Sequence, residues 1–104
     1  MRRVAALGCS LVTLLLTSLC EGAEPDPHPG RYLAANCTGC HGTQGRSTGA
    51  IPAIAGLDRT VIVEAMRTFR SGDRPATVMH QHAKAYSEAQ IELLADYFAA
   101  QKPL

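Results

Sequence analysis

Apolar positions along this chain repeat with the period of a helix, and no stretch alternates as a half-buried strand would. The clearest case lies near the C-terminus, where Ile91, Leu94, Ala95 and Phe98 share one helical face. Ser87-Glu-Ala-Gln90 just before them is a capping box and Pro103 beyond them is a stop, so the last helix should run between these two signals. A middle helix is expected from Arg59 to about Arg70. Asp58 can cap it, Ile62, Met66 and Phe69 share a face, and Ser71-Gly72 closes it. An earlier helix is expected over Arg31 to about His41, with Tyr32 and Leu33 directed at the core. The glycine-rich Gly42–Gly49 (GTQGRSTG) reads as a surface loop. Three to four helices without strands make the expected fold all-α.

The remaining segment is of a different kind. Met1 to about Ala23 has the layout of an export signal, with Arg2 and Arg3 ahead of the short apolar run Leu11–Leu19. Val4–Leu19 is shorter than the ~20 apolar residues that a membrane-spanning helix needs. The expected organisation is a signal peptide over residues 1–22, cleaved between 20 and 23, a flexible leader over 23–29 (with EPDPHP at its end), and one domain over 30–104. Ten basic and nine acidic residues, less Arg2, Arg3 and Glu21, leave the exported part neutral, which excludes a nucleic-acid binder. A domain this small has a marginal core of its own, and a covalently held apolar group would extend it.

Cys37-Thr-Gly-Cys40-His41 supplies such a group. A C-x-x-C-H run is the attachment site of a c-type haem: cysteines at i and i+3 project from one helical face to meet two vinyl groups, and the adjacent histidine reaches the iron. A zinc site would need two further ligands, and the other cysteines, Cys9 and Cys20, fall in the signal segment. A thioredoxin-type dithiol would need a βαβ pattern, which is not visible. The expected cofactor is therefore one covalent haem c, held by Cys37 and Cys40, with His41 as one axial ligand.

Four residues compete for the other axial position: Met66, Met79, His80 and His82. Met66 shares an apolar face with Ile62 and Phe69, which suits a core residue. Met79 follows the break Gly72-Asp-Arg-Pro75 in a segment that can cross the haem face, and a soft thioether suits an electron-transfer iron. Met79 is the favoured ligand; His80 or His82 would give a bis-histidine haem instead. The carbonyl of Pro52 is placed to accept the His41 Nδ1 hydrogen, unless Pro52 is simply a turn residue. Ile51, Ile54 and Leu57 are expected to line the haem edge, and Arg74 to meet a propionate or remain solvated.

With NCTGCHG closing a helix, a proline loop, a methionine and a terminal helix carrying Leu94-Ala-Asp-Tyr97, residues 30–101 resemble a class I c-type cytochrome. Within that class, FRSGDRPATVM, HAKAYS and the final DYF are similar to the haem subunit of flavocytochrome c sulfide dehydrogenase, with some of the pattern shared by cytochromes c4 and c553. The resemblance implies a small class I cytochrome c fold. It also implies a partner, an FAD-containing flavoprotein subunit that oxidises sulfide, from which this chain accepts electrons one at a time and passes them to a downstream acceptor in the periplasm. Family members with two haem domains exist; here only one haem motif is present, so a haem-to-haem relay is not implied. The expected role is electron transfer, not catalysis. The alternative is a free diffusible carrier of the c4/c553 kind, with a peroxidase-like haem enzyme a third. An apolar patch at the haem edge, rimmed by Gly42–Gly49, is the expected docking surface.

Overall fold

The computed structural model describes Gly22 and residues 26–104, and all regular structure among them is helical. Helix α1 is a run of two α-helical pieces, Gly30–Ala34 and Thr38–His41, joined by the 3₁₀ turn Ala35–Cys37. Then come α2 (Arg59–Ser71), the short α3 (Met79–Ala83) and α4 (Glu88–Ala99). The expected signal peptide and its cleavage window lie outside the described residues, apart from Gly22. At the end of the leader, Asp26 accepts a hydrogen bond from the His28 amide at 2.8 Å and faces Arg31 at 3.6 Å.

Helix α4 is the hub, packing against both α1 and α2, while α3 lies on α2. Its start follows the sequence signal: the Ser87 side chain accepts from the Gln90 amide, and the Gln90 side chain accepts from the Ser87 amide. Its buried face carries Ile91, Leu94, Ala95 and Phe98 as expected, and Tyr97 as well. Phe98, Ile91 and Leu94 are the largest fully buried side chains, each contributing about 1.5–3 kcal/mol of hydrophobic stabilisation. Helix α2 adds Ile62, Val63 and Met66, and α3 adds Ala83. Phe69, on the same face of α2, is only partly buried and packs at the edge of this cluster.

Two expectations need correction. Tyr32 does not point to the core but is 75% exposed. Gly30 sits against the Leu93 carbonyl so closely that any side chain there would overlap it, and this contact turns Gly30, Leu33, Ala34 and Cys37 inward at i, i+3, i+4 and i+7. Tyr32 falls on the opposite side. Helix α4 ends at Ala99, between the Ser87 box and Pro103 as expected. The Phe98 carbonyl accepts from the Gln101 amide at 3.1 Å and from the Gly56 amide at 2.9 Å, and the Tyr97 carbonyl accepts from Gln101 Nε2 at 2.8 Å. Finally, Gly42–Gly49 is not wholly a surface loop, because it contains the 3₁₀ turn Thr43–Gly45 and buries Gly45.

On the solvent side of α2 and α4, charges interlock. Arg59 pairs with Glu92 and with Asp96, Arg67 with Glu88 and with Glu92, and Arg70 with Glu88 at 2.7 Å. The two guanidiniums on Glu88 hold its carboxyl below the usual glutamate range, the Arg67 hydrogen bond first.

Candidate haem-binding site

The last turn of α1 carries the Cys37–His41 motif, and the helix stops there for a local reason. Gly42 adopts φ +82, outside the helical region, while its amide still donates to the Thr38 carbonyl at 3.1 Å. Cys37 is half-buried against the core and Cys40 is exposed. Burial raises the Cys37 pKa, and the neighbouring Cys40 raises it further. Among the described residues no three His, Cys, Asp or Glu side chains come together as a metal-ion cluster.

His41 is oriented by the loop that follows. Its Nδ1 lies 2.7 Å from the Pro52 carbonyl oxygen, the hydrogen bond anticipated from the sequence. With Nδ1 donating to that carbonyl, Nε2 is the nitrogen left to bind a metal, and the hydrogen bond raises its basicity.

Met79 opens α3 at the margin of the core, half-buried against it, whereas Met66 is 8% exposed and lies within the core. His80 is half-buried and His82 exposed. Ile54 packs against the core, while Ile51 and Leu57 are 43% and 40% exposed, and Val78 beside Met79 is 50% exposed. The Arg74 guanidinium lies over the Phe69 ring, 4.9 Å from its centroid. Cys37 and Cys40 one helical turn apart, followed by an imidazole whose Nδ1 is engaged and whose far nitrogen is free, fit the attachment and axial binding of a c-type haem.

Beyond the rim expected of Gly42–Gly49, Gly45 and Arg46 hold the loop in place. The Gly45 carbonyl accepts from the amides of Ile54 and Ala55 at 2.8 and 3.1 Å, and Arg46 Nε donates to the Lys102 carbonyl at 2.6 Å. The usable signal was the glycine pair in GTQG, since Gly42 and Gly45 both need positive φ.

The cytochrome c family model matches residues 29–102. The chain belongs to the cytochrome c family. Covalent haem c goes with that membership, and this cytochrome carries the two cysteines at the spacing it requires, Cys37 and Cys40. It is an electron-transfer haem protein with a small all-helical cytochrome c fold. It is 45% identical over 69 residues to the cytochrome subunit of sulfide dehydrogenase of Chlorobaculum tepidum, covering 66% of this chain and 63% of that one. It is 35% identical to the thiosulfate dehydrogenase electron acceptor of Thiomonas intermedia, over 99% of this chain and 46% of that protein. To cytochrome c4 of Azotobacter vinelandii it is 32% identical, over 90% of this chain and 51% of the other. The chain thus spans less than two thirds of each of these relatives. No described helix is long and apolar enough to cross a membrane.

Proposed function

We propose that this cytochrome is a periplasmic one-haem electron carrier serving a flavoprotein subunit that oxidises sulfide. The observation that carries this reading is the 45% identity to the sulfide dehydrogenase cytochrome subunit. Residues 1–22 direct export, 23–29 form the leader, and 30–104 form the haem domain. Cys37 and Cys40 hold the haem covalently, and His41 and Met79 are its axial ligands. Haem iron supplies a reversible one-electron couple. The chain's own contribution is to keep the ligand set constant in both oxidation states. Pro52 fixes the His41 ring through Nδ1, and Ile54 and Leu57 keep water from the macrocycle. The exposed apolar side chains Ile51 and Val78 give the flavoprotein partner a surface that does not depend on net charge.

Isolating the native protein from periplasm and assaying sulfide:cytochrome reduction tests the partner. A flavin-containing chain should co-purify, and its addition should accelerate haem reduction by sulfide, with only modest loss across a salt series. The isolated haem chain should show no enzymatic turnover. If no flavoprotein accelerates reduction, the reading of a free diffusible carrier replaces this one. The match to cytochrome c4 over 90% of the chain supports that second reading.

A further inference from the structure

The Pro52 carbonyl that orients His41 is itself held in place from both ends of its loop. Upstream, the Gly45 carbonyl binds the amides of Ile54 and Ala55; downstream, the Gly56 amide binds the Phe98 carbonyl at the end of α4. Arg46 joins these two anchors. Its backbone folds over Gly42, where a Cβ would come within 2.8 Å of the Arg46 carbonyl carbon and 2.9 Å of its oxygen. Its side chain spans to the C-terminal tail, with Nε donating to the Lys102 carbonyl at 2.6 Å. The tail packs on the same loop, since a Cβ at Gly56 would meet Pro103 Cδ at 2.9 Å. We infer that Arg46 is a positioning residue for the haem: by tying the Gly42–Gly45 turn to the tail behind α4, it fixes the Pro52 carbonyl against His41 Nδ1 and so sets the donor strength of the imidazole.

The physical argument is geometric. A carbonyl shared with a histidine ring acts on the iron only while the acceptor keeps its place, and hydrogen bonds from outside the ligand shell set ligand basicity. The Pro52 segment lies between the two glycine anchors. Its position is set by the backbone on either side, which Arg46 braces from the tail. Without that brace the Nδ1 hydrogen bond lengthens, the imidazole becomes a weaker donor, and the ferric state loses stabilisation relative to the ferrous state.

This inference rests on His41 being an axial ligand, and the experiment separates the two. In the holo-cytochrome, Arg46→Leu should raise the midpoint potential and speed hydrogen exchange of the His41 Nδ1–H several-fold by NMR. Arg46→Lys, which retains a donor, should restore both towards wild type. Ser87→Ala serves as a control that lowers stability far from the loop and should leave both readouts in place. If Arg46→Leu lowers Tm but leaves the potential and the exchange rate unchanged, the inference is overturned and Arg46 is only a structural tie. If the NMR spectrum of the wild-type haem protein shows no iron-bound imidazole from His41, the ligand assignment itself fails.

Discussion

Two methionines separate ligand from filler at the scale of single residues. Met66 is a buried member of the core cluster that also holds Ile62 and the inward face of α4, and Met79 stands at the core's margin at the start of α3. Met79→Ala should therefore abolish the weak long-wavelength absorption that sulfur ligation gives ferric haem, with haem still attached. Met66→Ala should keep that band and lose about 2–5 kcal/mol of stability through the cavity it opens. Visible spectra of the two ferric variants, paired with urea melts, check this; loss of the band in Met66→Ala alone would move the assignment. Both methionines were candidates in the sequence. Apolar periodicity pointed to Met66 as core, since a residue on a continuous helical stripe is constrained by its neighbours. It could not place Tyr32, because its inward face is chosen by the contact between Gly30 and Leu93, two residues far apart in the chain.

At the scale of elements, the caps that open helices are local, and so are the glycines Gly42 and Gly72 that close α1 and α2. Asp58 caps α2 by accepting from the Thr60 amide at 2.7 Å, and Ser87 caps α4 through the reciprocal box with Gln90. Both caps lie within a few residues of the groups they satisfy, so sequence reveals them. Ser87→Ala should cost about 0.5–2 kcal/mol and lower Tm without changing the visible spectrum. Thermal denaturation followed at both the helix and haem bands measures it, and a changed spectrum would show that α4 is coupled to the haem more directly than its cap suggests. At the end of α4, which falls before Pro103, the Phe98 carbonyl accepts both from the Gln101 amide three residues on and from the Gly56 amide far away in the chain, so a long-range bond is added to a local one.

At the scale of the whole molecule, the haem and the surface charges should each set a limit on stability. The protein core is small, so Cys37→Ala with Cys40→Ala should abolish covalent haem and leave the chain largely unfolded. Haem staining on a denaturing gel and circular dichroism report the two losses, and a cooperative melt without haem would show that the helices suffice. The ion-pair lattice between α2 and α4 makes the acid limb. Glu88 has its pKa lowered by hydrogen bonds from Arg67 and then Arg70. A carboxylate whose folded pKa is depressed stabilises the fold fully above its ordinary value, and that contribution is lost as pH falls through the depressed folded value. Glu88→Gln should flatten the acid side of the Tm-against-pH curve, and added salt should do the same in the wild type. An unchanged curve would mean that these exposed pairs contribute nothing measurable.

The sequence by itself determined the helical class, the N-terminal caps of α2 and α4 and the Cys37–Cys40–His41 motif, and it offered the approach of Pro52 to His41 as one of two readings of that proline. Each rests on a short-range relation: a helical period, a cap beside its helix, a pentapeptide, or a loop of eleven residues closing on its own histidine. Tertiary structure alone decided the inward face of α1, the burial of Gly45, the bond from Gly56 to the end of α4 and the tie from Arg46 to Lys102. These depend on backbone groups that meet only after the chain has folded, and a backbone carbonyl or amide carries no side-chain identity by which sequence could announce its partner.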